Sequence, residues 1–156
     1  MLKSKRCGDV AEDELLTHLQ SIFGCLAQKN LIHSMRYDYD ISVDSEPPVT
    51  FEVKHDAMAQ KTGNIALEYH NTRKNEPSGF MVTKADLWAH KIGEQIYVCS
   101  VKKLKEFVDT EKPHRFIESG GDGNANLLLY KIDQFTKICK PLEELTCLQD
   151  FLSLCS

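Results

Sequence analysis

The chain has 156 residues and lacks any apolar run near the roughly 18 residues that cross a bilayer, so no membrane partner is expected. Its basic start, Met1-Leu2-Lys3-Ser4-Lys5-Arg6, leads into no apolar stretch, so no secretory signal is expected either. Six cysteines, at 7, 25, 99, 139, 147 and 155, include no Cys-x-x-Cys pair, which leaves a structural zinc site without support. Their diffuse spacing predicts reduced, mostly buried thiols and an intracellular setting, the cytoplasm or the nucleoid or nucleus of a host. Positive charge is not in excess: the formal net charge is −4, which argues against non-specific coating of nucleic acid. An enzyme is compatible with that balance, because acidic metal ligands lower the total while cations cluster locally. Lys3, Lys5, Arg6, Lys61, Arg73, Lys74 and Lys84 are the cations available to face phosphate. The loop at 119–124 lacks the ligand pattern and closing glutamate of an EF-hand, so calcium is not expected there. No internal repeat, low-complexity segment or second domain is visible, and residues 1–156 read as one domain.

What is present is a mixture of helical and strand periodicities. Leu15, Leu16, Leu19, Ile22, Phe23 and Leu26 fall at helical spacing and predict a helix from about Asp9 to Ala27, with Gly24 weakening its last turn. From Met35 to Val43 the chain alternates, with Tyr37, Tyr39, Ile41 and Val43 on one face and Asp38, Asp40 and Ser42 on the other. A turn at Asp44-Ser45-Glu46-Pro47-Pro48 leads to a second strand, Val49 to His55, and the two predict an antiparallel hairpin. A third strand is expected from Ile65 to His70, after a loop at 61–64. Thr83-Lys84-Ala85-Asp86 resembles a helix-start capping box and predicts a short helix carrying Leu87 and Trp88. Gln95–Ser100 predicts a strand, Val101–Thr110 a helix and Leu127–Ile132 a last strand. Leu142, Leu145, Leu148, Phe151 and Leu152 predict an amphipathic tail helix.

The run Phe51-Glu52-Val53-Lys54 carries the chemistry. Side chains alternate along a strand, so Glu52 and Lys54 share one face while Phe51 and Val53 occupy the other, as in a core strand. Asp40 on the neighbouring strand and Glu52 make a carboxylate pair suited to magnesium, which takes one or two protein carboxylates and keeps several waters. A divalent cation there would activate water and offset charge on a phosphoryl group. Lys54 is placed to orient or deprotonate water or to contact the scissile phosphate, and a catalytic base would need its pKa depressed. Asp38 lies on the same strand face as Asp40 and competes for the role; Asp40 is preferred because Asp38 lies nearer the strand's outer end. Glu68 shares a face with Asn64 and His70 and is either a further site carboxylate or a solvent-facing residue. Ser78, Thr83 and Lys84 lie near an expected helix N-terminus, where backbone N–H groups either receive phosphate or are simply capped. His55 points away from the site, and Trp88 belongs to the core.

Asp40 followed by Glu52-Val53-Lys54 resembles the signature of the PD-(D/E)XK nuclease superfamily. Gly8-Asp9-Val10-Ala11-Glu12-Asp13-Glu14-Leu15 is similar to the Gly-x-x-Ala-Glu-x-x-Leu opening of archaeal Holliday-junction resolvases, and the likeness covers roughly residues 8 to 70. Thr62 to Tyr69, and Pro77-Ser78-Gly79 with Thr83 to Asp86, also look like segments of small phage-type members. The resemblance implies an α/β, restriction-endonuclease-like fold, with a mixed central sheet flanked by helices. It implies Mg2+ or Mn2+ bound by Asp40, Glu52 and the Val53 carbonyl, Lys54 as catalytic lysine, and Glu12 as an accessory carboxylate. Tyr39 departs from the pattern, standing where proline often precedes the aspartate. The implied activity is endonucleolytic hydrolysis of double-stranded or branched DNA. A compact catalytic domain with no appended reader domain often works as a dimer, so a homodimer is an expectation here. The alternatives are an inactive nucleic-acid-binding or assembly module of the same fold, or an RNA endonuclease. Substrate choice is left to Asn64, Glu68, Arg73, Ser78 and Lys84.

Overall fold

The computed structural model describes residues 2–31, 38–120 and 123–156. Helix α1 (Leu2–Phe23) begins earlier than its apolar stripe and stops four residues sooner than expected. Gly24 adopts φ 59°, a left-handed conformation open to glycine at little cost, and this turns the chain into a 3-10 turn at Gly24–Leu26. Strand β1 (Ala27–Lys29) follows directly. Ala11, Leu15 and Leu19 form the fully buried stripe of α1, with Glu12 at its margin.

The expected hairpin is shorter than the alternation suggests. Strand β2 spans only Ile41–Val43, and residues 38–40 form a turn; Met35 and Tyr37 lie outside the described residues. Strand β3 (Val49–His55) matches its expected bounds. It pairs antiparallel with β2, placing Ile41 opposite Phe51. After β3 come a four-residue helix α2 (Ala59–Thr62), where a loop was expected, and strand β4 (Asn64–Asn71). A two-residue strand β5 (Glu76–Pro77) and a 3-10 turn at Gly79–Met81 follow.

The helix expected at Thr83–Trp88 is instead strand β6 (Leu87–Ile92), all six residues of which are buried. A strand covered on both faces loses its alternation, so its pattern cannot be told from that of a buried helix. The polar residues before it bridge strands rather than cap a helix. Asp86 Oδ2 accepts the Thr50 N–H and hydroxyl, both at 2.9 Å, and so ties the start of β6 to β3. Strand β7 (Gln95–Ser100) and helix α3 (Val101–Thr110) match expectation, and Ser100 caps α3 by accepting the Lys103 N–H. Strands β8 (Arg115–Gly120) and β9 (Ala125–Lys131) form a hairpin. β8 went unread because it is a mostly exposed edge strand whose Phe116 faces outward, 61% exposed. A short helix α4 (Ile132–Thr136), strand β10 (Lys140–Pro141) and helix α5 (Leu148–Cys155) complete the chain.

These strands make two sheets where one was expected. The larger has the order β1-β2-β3-β6-β7-β10, with β3 and β6 parallel and its other pairs antiparallel. The smaller, β5-β4-β9-β8, is antiparallel throughout. The parallel pairing of β3 with β6 requires a crossover, and the smaller sheet's β4 and β5 lie within it. One face of the large sheet packs on α1 and α5, burying Phe51, Val53, Leu87 and Ala89 with Leu15, Leu19 and Phe151. The Phe51 and Phe151 rings meet edge to face at 5.8 Å. The opposite core gathers Trp88 and Cys99 with Ile65, Leu67, Leu128 and Tyr130 of the smaller sheet, and with Leu104 and Phe107 of α3. Glu52 and Lys54 therefore project between two layers.

The five described cysteines are free thiols. Cys25, Cys147 and Cys155 are exposed, against the expectation of mostly buried ones. Among the described residues, no helix is long and apolar enough to cross a membrane.

Candidate active site

Glu12, Asp40, Glu52 and Lys54 line one cleft of about 650 Å³, together with Glu68, Asn71, Lys74, Glu76, Ser78 and Thr83. Local structure puts each there for a separate reason. Glu12 flanks the buried stripe of α1, which directs it along the sheet rather than into the core. Lys29 of β1 holds it at 3.5 Å while bonding Asp13 at 2.6 Å. Asp40 precedes the first residue of β2, so that strand offers no partner to the Val53 N–H. The Asp40 carboxylate takes its place, accepting that N–H at Oδ2 over 2.7 Å. The short β2 is thus what turns Asp40 toward β3 and brings the Val53 peptide beside its carboxylate. Asp38 faces elsewhere: its Oδ1 lies 3.2 Å from Lys84 Nζ, and its carbonyl accepts the Lys84 N–H. Between the two aspartates, Asp40 alone lines the cleft.

Glu52 is closely confined, with only 12% of its side chain exposed. Its Oε1 lies 2.5 Å from Lys54 Nζ, and its Oε2 accepts a hydrogen bond from Thr83 Oγ1 at 3.1 Å. Thr83 is itself buried and also accepts the Ala85 N–H. Sequence reasoning assigned Thr83 to a helix start; its role beside Glu52 depends on β3 and β6 running side by side, which no local signal reveals. Glu68 enters from β4, with its Oε1 accepting the Ser78 hydroxyl at 2.7 Å. Gly79, at φ 57°, holds that wall close: a Cβ there would stand 2.1 Å from the Glu68 carbonyl oxygen.

The electrostatics follow from crowding carboxylates around one lysine. Asp40 is pushed up to about 6, first by burial and then by the charge of Glu52, against the opposing pull of the Val53 N–H and Lys54. For Lys54, burial acts downward, but Glu52, Asp40 and Glu68 together outweigh it and hold the ammonium above its ordinary range. This is opposite to the depression that a lysine base requires. In this arrangement Lys54 is a fixed positive charge and a hydrogen-bond donor.

Other expected residues are dispersed. Asn64 caps the turn into β4 through Thr62 and does not line the cleft. Arg73 is exposed and outside it. Ser78 lines the cleft, yet it precedes a three-residue 3-10 turn, so the expected helix N-terminus for phosphate is not formed. Lys84 is 74% exposed and lines a neighbouring groove with Lys102 and Lys105. Lys61 is exposed and does not line the cleft, whereas Lys74 does; the side chains of Lys3, Lys5 and Arg6 lie outside the described ones. His55 does not line the cleft.

Among the described residues, no three His, Cys, Asp or Glu side chains are grouped so as to hold a metal ion. The cleft's acids are tied instead to Lys29, Lys54, Val53, Thr83 and Ser78. The donor set still suits a hard divalent cation. Asp40 and Glu52 are close enough for the charge of one to raise the other, a repulsion that a cation relieves, and magnesium needs only one or two carboxylates. Comparison of the chain with protein-family models, with curated proteins and with solved structures returned no match.

Proposed function

We propose that this chain is a Mg2+- or Mn2+-dependent endonuclease of the PD-(D/E)XK type, acting on double-stranded or branched DNA. The observation that carries the reading is the convergence of Glu12, Asp40, Glu52 and Lys54 in one cleft from a helix, a turn and a strand. Two structural details support it. Acid and lysine share the face of β3 opposite its apolar anchor, and the competing Asp38 is drawn off by Lys84.

The chain's own residues divide the work. Asp40 and Glu52 would hold the cation, and the Val53 carbonyl is the further ligand implied by the resemblance. A cation bound there supplies Lewis acidity and a more acidic water. Lys54, protonated, contacts a non-bridging phosphoryl oxygen and offsets charge as a water oxygen, its proton released to solvent, adds to phosphorus and the P–O bond to the leaving sugar oxygen breaks. It would have to exchange part of its bond with Glu52 for that contact. Thr83 holds Glu52 while this exchange takes place, and Glu12 orients water from the α1 side.

The test is cleavage of plasmid, linear duplex, four-way junction and single-stranded RNA in magnesium, manganese or EDTA, with Glu52→Ala and Lys54→Ala in parallel. Cleavage of duplex or junction that needs metal and is lost in both variants is expected. Cleavage that survives EDTA or either substitution overturns the mechanism. Binding without cleavage of any substrate points to an inactive module, and preference for the RNA reassigns the substrate.

A further inference from the structure

Beneath Lys54 lies a line of polar side chains that the cleft does not use. Trp88 and His90 on β6 stand in parallel register with Glu52 and Lys54 on β3, so the four share one face of the sheet. Lys54 Nζ sits over the Trp88 ring, 5.8 Å from its centroid, within range of a cation–π contact. The Trp88 indole N–H donates to His90 Nδ1 at 3.1 Å. An accepting Nδ1 assigns the proton of a neutral His90 to Nε2. That Nε2 is buried without a hydrogen-bond partner and faces Asp56 Oδ2 at 3.9 Å, beyond bonding distance. Asp56 is anchored in turn, accepting the Ala66 N–H at 2.8 Å and the Met58 N–H at 3.2 Å. Phe135 packs edge-on against His90 at 5.1 Å between ring centroids.

We propose that His90 and Trp88 form a buried positioning relay for Lys54. Open space explains why Lys54 needs one. It lines the cleft on one side and a second cavity of about 230 Å³ on the other, the latter shared with Asp56, Glu68, Trp88 and His90. A four-carbon stem bordered by space on two sides has rotamer freedom to lose. Its Glu52 partner must loosen if that carboxylate is to hold a cation. The indole face then remains as the fixed surface under the ammonium, and its plane is set by the bond to His90. Packing alone does not account for His90: a hydrocarbon ring at that position would fill the same space without burying an unpaired N–H. His90 and Trp88 are positioning residues here. The role rests on the reading of Lys54 as catalytic.

Trp88 is the chain's only tryptophan, so one indole N–H resonance and one fluorophore report the relay directly. The experiment compares the 156-residue wild type with His90→Phe, His90→Asn, Lys54→Met and Leu104→Ala. Leu104 serves as the control, because it packs in the same core with no polar link to the relay. In wild type the indole N–H resonance is expected to be hydrogen-bonded and protected from exchange. Lys54→Met should shift it, and His90→Phe should remove the protection. His90→Phe should also lower kcat roughly tenfold at unchanged KM, a small misplacement of a reacting group being enough for that. His90→Asn returns an acceptor near the former Nδ1 and should recover most of the lost rate. Leu104→Ala should lower Tm while keeping kcat. The relay is overturned if His90→Phe keeps kcat within about twofold, if Leu104→Ala loses as much, or if Asn does no better than Phe. Should the wild type cleave no substrate, the nuclease reading fails separately. The relay is then decided by the indole alone: a resonance unmoved by Lys54→Met overturns it, and a shifted one upholds the contact.

Discussion

The two faces of β3 differ by a single residue step and by everything that surrounds them. Phe51 and Val53 meet α1 and α5 in a dry core, where only size and shape matter. Glu52 and Lys54 meet the smaller sheet, where each polar atom must find a partner or water. The apolar face is secured by area removed from water, and a fully buried phenylalanine contributes about 1.5–3 kcal/mol. The polar face is secured by specific bonds, and its one excess is negative charge. One strand thus serves as an anchor on one side and a scaffold for chemistry on the other.

The sharpest way to break this comparison is at the anchor. Phe51→Ala should cost about 3–5 kcal/mol, since it removes a fully buried ring that packs on Phe151. Chemical denaturation with the slope held in common measures this. A loss below about 1 kcal/mol would mean that the face is not a packed core. Next comes the chemical face. If the cleft cleaves phosphodiesters, Lys54→Ala should lower kcat by about 100-fold or more, and it should lower the midpoint of denaturation too, because Glu52 loses its ion-pair partner. Single-turnover cleavage checks the first quantity and thermal melting the second.

Asp40 offers a third test through pH. Its folded pKa of about 6 stands above its ordinary value of 3.8, so the native state binds a proton that the unfolded chain releases. Stability from this group is complete at acid pH and is lost as pH rises through about 6. Asp40→Asn should therefore show little advantage in Tm at about pH 4 and a clear one at about pH 7.5, both in chelator. Magnesium at the higher pH should raise the Tm of wild type and not that of the variant. Equal pH profiles for the two proteins would contradict the crowding of Asp40 against Glu52. The smallest effect belongs to Thr83→Val, which removes the hydroxyl from Glu52 Oε2 and should cost about 1 kcal/mol. A double-mutant cycle with Glu52→Gln measures that coupling, and a value near zero would remove Thr83 from the site.

Much of this was legible locally. The bounds of β3, β7 and α3 follow from alternation and helical spacing, because those signals are carried by neighbours in the chain. The opposite faces of Glu52 and Phe51 follow from the pleat alone. β6 was misread because burial on both sides erases the alternation that marks a strand. β8 was missed because an exposed edge strand carries little alternation to read. Asp38 and Asp40 could be ranked but not separated, since the answer turns on the end of β2 and on Lys84 from a distant segment.

By itself, the sequence determined which side chains of β3 share a face, that α1 carries one apolar stripe, and that acids and a lysine recur at strand and helix spacing. Those are properties of bond geometry and nearest neighbours. Only the tertiary structure decided that Glu12, Asp40, Glu52, Lys54 and Glu68 meet in one cleft, that Thr83 steadies Glu52, and that Trp88 and His90 lie under the lysine. It also decided the sign of the Lys54 shift. A pKa sums burial against every nearby charge, and here the charges come from strands that only the folded sheets bring together.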